Sequence, residues 1–335
     1  MPDNNNTTNV VIVDCDHDSI EVERRLADER GVTLTLAQAV TEDDVIAAAE
    51  NADAIVVQYA PITDRVLTAL PNLRAIGRYG VGVDTVDVDA ATAHGVAVCN
   101  VPDYGTEDVS DHAVALALSV TRGIVALDRN QRRGIVDLTP VKPLRRARES
   151  VFGVVGLGLI GAATARKAAG LGFDVIGSDP MHQPGTVVDG VRVVGFDDLL
   201  AAADVVSLHV PLNAHTKHLI NAESLTKIKS TAVLVNTCRG GVVETAALVD
   251  ALTSGRLKAA ALDVFEVEPL PADHALVGLD NVTLTPHAAW YSEESYSELK
   301  RRAIENVVDV AQGRTPRNIL NPVVLESDSD SEENR

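Results

Sequence analysis

The chain has 335 residues, 46% of them hydrophobic, and its 48 acidic and 29 basic side chains leave a net charge of −19. At this length two lobes are expected; no run approaches the roughly 18 to 20 apolar residues that span a bilayer, and so negative a surface argues against nucleic acid as a partner. Only seven of the basic residues are lysine, and the acidic excess runs along the whole chain; this is the composition either of a halophilic protein, whose self-repulsion salt screens, or of an ordinary acidic one.

The first ten residues, MPDNNNTTNV, lack the basic and then apolar layout of a signal peptide, so a cytoplasmic location is expected. Apolar runs at Asn9 to Cys15, Ala54 to Gln58, Ala75 to Tyr79 and Val96 to Asn100 alternate with helical patterns, as in βαβ units, and read as a first, smaller sheet. The segment Arg78-Tyr-Gly80-Val81-Gly82-Val-Asp84 is either a plain strand-to-helix turn or a run of free N–H groups able to cradle an anion. Cys15, Cys99 and Cys238 lie far apart without metal-type spacing. They read as reduced packing residues, and no metal is expected. Thr106 to Asn130 follows as one amphipathic helix. The arginines after it, Arg132, Arg133, Arg145, Arg146 and Arg148, have no interleaved aromatics and suit a solvated connector or a dimer arm better than a nucleic-acid patch.

A second series of strands opens at Val151 to Val155. It continues through Phe173 to Ser178, Val205 to Val210, Ala232 to Thr237, Ala260 to Val264 and Val282 to Leu284, the strand count of a complete dinucleotide-binding sheet. Gly156-Leu-Gly158-Leu159-Ile160-Gly161 matches G-x-G-x-x-G, which is weak by itself. Here it follows one strand, opens the helix Ala162 to Leu171 and leads into a second strand that ends at Asp179. Gly156 permits the tight turn, Gly158 lets the backbone approach a pyrophosphate and Gly161 allows close helix packing, while the helix N-terminus favours phosphate. Asp179, 18 residues beyond Gly161, can accept from ribose hydroxyls and would repel a 2′-phosphate, so NAD is the expected cofactor.

Polar segments then stand at the ends of the later strands, where an open α/β sheet binds its ligand. They are Asn236-Thr-Cys-Arg239-Gly-Gly, Asp263-Val-Phe-Glu-Val-Glu268-Pro and Thr285-Pro-His287-Ala-Ala-Trp290. Arginine can hold a carboxylate in its planar fork and polarise the adjoining carbonyl. Histidine exchanges protons near neutral pH, and a carboxylate beside it would orient the ring and favour the imidazolium. The last helix, Ser292 to Gln312, should return to the first lobe. The tail 326–335 has nothing apolar to bury and should be disordered.

From Val56 to Asn321 the sequence resembles the D-isomer-specific 2-hydroxyacid dehydrogenase family. It is most similar to the branch of C-terminal-binding proteins and phosphoglycerate-dehydrogenase-like enzymes, through Pro286-His-Ala-Ala-Trp-Tyr-Ser-Glu293 above all. The resemblance implies an α/β fold with two Rossmann-like, doubly wound parallel sheets. A flavodoxin-like substrate domain over 1–102 and 288–325 would accompany an NAD-binding domain over 103–287. It implies hydride transfer between NAD(H) and a small 2-oxo or D-2-hydroxy acid, of the hydroxypyruvate/glyoxylate reductase or phosphoglycerate dehydrogenase kind, in a homodimer. The alternative is a corepressor-like scaffold that binds NAD(H). Arg239, Glu268 and His287 would be catalytic, and Arg78, Val81, Gly82 and Trp290 would bind substrate. A helical turn after Pro286 would set Trp290 on one face with His287. Besides the glycine loop and Asp179, cofactor contacts are implied at Thr106, Leu159, Ile160, His209, Pro211, Thr216, Cys238 and Asp263.

Overall fold

In the computed structural model, residues 7–326 are described. Apart from Glu326, the expected disordered tail lies outside them. The chain divides into a first unit, Met1–Tyr104 with Ser292–Arg335, and a second, Gly105–Tyr291. The boundaries thus fall after 104 and before 292, instead of after 102 and before 288.

The first unit is a five-stranded parallel sheet: β1 (Asn9–Ile12), β2 (Thr33–Leu36), β3 (Ala54–Val57), β4 (Ala75–Arg78) and β5 (Ala97–Cys99). Its order, β2-β1-β3-β4-β5, is the flavodoxin-like doubly wound arrangement. The strands β3 and β5 are buried throughout, as parallel strands covered on both faces must be. The expected runs overshoot the strands because their apolar ends, such as Val13 and Tyr79, are buried beyond the ladder. Strand β2 was not expected: this edge strand alternates Thr and Leu and is mostly exposed. The first-unit helices are α1 (Glu21–Arg30), α2 (Glu42–Ala49), α3 (Asp64–Ala69) and α4 (Val88–Ala93).

The second unit opens with α5 (Thr106–Arg122) and α6 (Ile124–Arg132), where one helix was expected. Gly123 adopts φ 63°, its amide caps the Ser119 and Val120 carbonyls, and the pair bends by 57°; a left-handed glycine ends a helix at little cost. The sheet comprises β6 (Val151–Val155), β7 (Asp174–Ser178), β8 (Val187–Val188), β9 (Val191–Val193), β10 (Val205–Leu208), β11 (Val233–Asn236), β12 (Ala259–Leu262) and β13 (Val282–Leu284). Its helices are α7 (Leu159–Gly170), α8 (Phe196–Ala202), α9 (Ala222–Lys227) and α10 (Thr245–Thr253). The order β13-β12-β11-β10-β6-β7-β9-β8 sets β6 beside both β7 and β10, so the strand order reverses at the glycine loop, the ligand-binding point of such sheets. The short hairpin β8–β9 was not expected. It turns through Asp189 and Gly190, both with positive φ, as a two-residue Asp-Gly turn requires.

The last helix, α11 (Glu293–Ala311), belongs to the first unit, capped by Ser292 in a reciprocal capping box with Ser295. No single helix among the described residues is long and apolar enough to cross a membrane.

Candidate active site

The glycine loop is shaped by close backbone approaches. Gly156 sits at φ 92°, and a Cβ on it would stand 2.5 Å from the His209 carbonyl oxygen; on Gly161 it would stand 1.9 Å from the Gly156 oxygen. A Cβ on Gly158 would meet nothing within 4 Å. Gly158 is thus the open side of the loop, and it precedes α7, which starts at Leu159 instead of Ala162 and has no side-chain cap or acidic residue in its first turn. Leu159 is exposed and Ile160 half-buried. Asp179 stands at the end of β7, where its carboxylate accepts from the Leu157 and Met181 amides, each at 2.8 Å.

Around this loop, the Thr106 hydroxyl at the start of α5 is buried without a hydrogen-bond partner among the described residues. His209 bonds Ser207 at 2.8 Å through Nε2, and burial pushes it down to about 4, so the ring is neutral at physiological pH. Thr216 closes the following turn by donating to the Pro211 carbonyl at 2.5 Å and accepting from the Asn213 amide at 2.9 Å. Burial pushes the Cys238 thiol up to about 11, which keeps it an inert packing group. The open glycine, the carboxylate-free helix start and the orphaned hydroxyl all fit a dinucleotide.

Arg239, Glu268 and His287 follow β11, β12 and β13. Glu268 Oε2 lies 2.7 Å from His287 Nδ1, and Glu268 Oε1 accepts from the Phe265 amide at 2.8 Å. Burial alone would raise the Glu268 carboxyl; the hydrogen bonds from His287 and Phe265 and the charges of His287 and Arg239 outweigh it, so Glu268 lies below its ordinary value. A carboxylate at Nδ1 holds the proton there and leaves Nε2 to exchange one with a ligand. The turn that presents Arg239 is built by buried Asn236, whose Oδ1 accepts from the Cys238 amide at 3.1 Å while Nδ2 donates to the Arg239 carbonyl at 3.0 Å. Asn236 opens the polar segment noted in the sequence, which assigns it no role; its side chain serves the local turn.

His287 itself has φ 52°, a conformation that costs free energy outside glycine and persists only where the surroundings enforce it. The enforcing residue is Asp263, which is fully buried. Its carbonyl accepts from the His287 amide at 2.7 Å, and its carboxylate accepts from the Ala288 and Ala289 amides at 2.9 Å and the Thr285 hydroxyl at 2.5 Å. His112 of α5 bonds the same hydroxyl at 3.0 Å. The expected helical turn after Pro286 is therefore absent: the loop is drawn onto Asp263, and Tyr291 closes a turn on the Ala288 carbonyl at 3.1 Å. Trp290 meets Tyr291 edge-to-face at 5.6 Å, and its placement does not follow from helical spacing.

In the first unit, Arg78 ends β4 and the turn runs on through Val81 and Gly82. The Asn100 amide donates to the Val81 carbonyl at 2.7 Å, and among the described hydrogen bonds none takes the amide of Val81 or Gly82. Among the described residues, no group of three or more His, Cys, Asp or Glu side chains is arranged to hold a metal ion.

A family model described as the NAD-binding domain of D-isomer specific 2-hydroxyacid dehydrogenases matches residues 114–289. A glyoxylate reductase of Korarchaeum cryptofilum is 41% identical over 270 residues, covering 79% of this chain and 81% of that protein. A D-3-phosphoglycerate dehydrogenase of Archaeoglobus fulgidus is 36% identical over 303 residues, covering 90% of this chain and 57% of that protein. Among solved structures, an acyclic imino acid reductase (Bsp5) in complex with NADPH and D-Arg superposes with a TM-score of 0.85 at 28% identity, covering 93% of this chain and all of that one.

Proposed function

Because the chain belongs to the D-isomer-specific 2-hydroxyacid dehydrogenase family, we propose that it reduces a small 2-oxo acid such as glyoxylate or hydroxypyruvate to the D-2-hydroxy acid with NADH. The observation that carries this reading is the 2.7 Å pair of Glu268 and His287, in which the charge of Arg239 also favours the Glu268 carboxylate. Arg239 binds the substrate carboxylate and polarises the neighbouring carbonyl. Glu268 fixes the ring of His287 so that Nε2 delivers a proton to the carbonyl oxygen, and in the oxidative direction the same nitrogen takes the hydroxyl proton. When bound, the nicotinamide supplies or accepts the hydride at C2. A corepressor-like scaffold is not favoured, since it has no need of this acid–base pair. Steady-state NADH oxidation with glyoxylate, hydroxypyruvate, phosphohydroxypyruvate and pyruvate is the test. His287→Ala should lower kcat by about 10²- to 10⁴-fold and leave the Kd for NADH nearly unchanged; near-normal turnover would remove His287 from this role.

The same reading extends to assembly. Ile124, Ile135, Val136, Leu138 and Leu144 expose apolar surface within twenty-odd residues of the second unit, with Val136 at 91%. An apolar arm of this kind supports a two-fold homodimer formed through the second unit.

A further inference from the structure

A group of buried ionisable side chains in the first unit has no part in the proton transfer. Glu23 of α1 is fully buried, and the Tyr79 phenol donates to its Oε1 at 2.9 Å. Lys300 of α11 lies 3.5 Å from Oε2, and His17 lies 3.7 Å from Oε1; their side chains are 3% and 1% exposed. Lys300 also donates to the Ser19 carbonyl and stands 4.6 Å from the centre of the Tyr296 ring. His17 packs edge-on to Tyr79 and Tyr296, at 4.6 and 5.1 Å, with Cys15 beside it. Burial and then the Glu23 charge push the Tyr79 phenol well above its usual value, so it remains a donor.

A buried charge group of this kind is expensive, and apolar side chains of the same volume often fill such a place at lower cost. What it secures is the position of Tyr79, the residue between Arg78 and Gly80. On the other flank of that turn, Val101 donates to the Gly80 carbonyl at 2.9 Å and Asn100 to the Val81 carbonyl, while Asn306 of α11 donates to the Asn100 carbonyl at 3.2 Å. The turn is thus held at its ring and at two successive carbonyls, and among the described hydrogen bonds none takes the amides of Val81 and Gly82.

We propose that Glu23 is a positioning residue for substrate: through Tyr79 it holds the Arg78-to-Gly82 turn in the form that receives the carboxylate of a 2-oxo acid. Lys300, 3.5 Å from Glu23 Oε2, supplies the opposite charge beside it. The inference rests on the reading of that turn as a carboxylate site.

The experiment compares the wild type, Tyr79→Phe, Glu23→Gln and the double variant in glyoxylate reduction, with NADH titrated by fluorescence. Tyr79→Phe keeps the ring and removes one hydrogen bond to a charge. It should raise the KM for glyoxylate about tenfold, with kcat within about twofold and the Kd for NADH unmoved. Glu23→Gln should act in the same direction, and the double variant should be no worse than the more impaired single one, because both remove one contact. If Glu23→Gln does not fold, Tyr79→Phe carries the test. A melting temperature that falls in Tyr79→Phe while KM stays put, or effects that multiply in the double variant, would reduce the cluster to packing and overturn the proposal. A wild type inactive on every 2-oxo acid removes the functional reading and this inference with it, whereas an active wild type whose KM ignores Tyr79→Phe removes the inference alone.

Discussion

Glu268 has a charge state that its surroundings set against its burial. Its hydrogen bonds from His287 and the Phe265 amide hold the carboxyl below the ordinary glutamate range although desolvation acts the other way. The unfolded chain has the ordinary value, so the stabilisation from this carboxylate is fully present above that value and is lost as pH falls through the lower, folded one. The loss of turnover that accompanies its protonation therefore lies on the acid side, below the usual glutamate range. Glu268→Gln cannot titrate; it should lower kcat at every pH and abolish that limb, and a pH–rate profile in which the limb persists would assign it elsewhere. Asp179 makes a second prediction at this scale. Its carboxylate is pinned by the Leu157 and Met181 amides, where it suits ribose hydroxyls and opposes a 2′-phosphate. The kcat/KM for NADH should exceed that for NADPH by at least about tenfold, and Asp179→Ala should narrow the ratio; a wild type that prefers NADPH would contradict this.

The loop from Thr285 to Ala289 shows what decides a functional element when local propensity does not. A histidine at φ 52° is unfavourable alone, and it is held by two backbone amides and a hydroxyl that converge on one buried carboxylate. Asp263→Asn replaces one acceptor oxygen by a donor facing an N–H group, which costs about 1 to 3 kcal/mol at a buried site and releases the loop. We expect kcat to fall by more than the affinity for NADH. The opposite ranking, from titration and turnover of one preparation, would make Asp263 first a cofactor ligand. The break at Gly123 acts on the same scale: it turns α6 away from α5 by 57°, and Val136 and Leu138, beyond the end of α6, are exposed.

Across the whole molecule the net charge of −19 sets the response to salt. Several ion pairs, such as Lys227 with Asp197 and Glu223, lie at the surface and contribute little each, so they do not offset the general repulsion. Raising salt from 0.1 to 1 M shortens the screening length from about 10 to about 3 Å, and the melting temperature should rise. A melting temperature that is flat or falls between these concentrations would refute the view that self-repulsion limits stability. Light scattering in the same series tests the dimer: Val136→Asp with Leu138→Asp should yield monomers that keep their NADH affinity.

The sequence alone determined the buried strands of the two sheets and the cofactor loop, because each rests on short-range order: buried parallel strands are apolar runs, and the glycines lie within six residues of one turn; the roles of Arg239, Glu268 and His287 come instead from the resemblance to the family. The hairpin at Asp189-Gly190 was legible in the same way and was missed only because its strands are two and three residues long. Tertiary structure decided the rest. The left-handed backbone of His287, the buried carboxylate of Asp263 that imposes it and the pairing of Glu23 with Tyr79 and Lys300 join residues 22 to 277 positions apart. No local pattern encodes these contacts, since an isolated charged side chain prefers water and is buried only when the fold brings its partners to it.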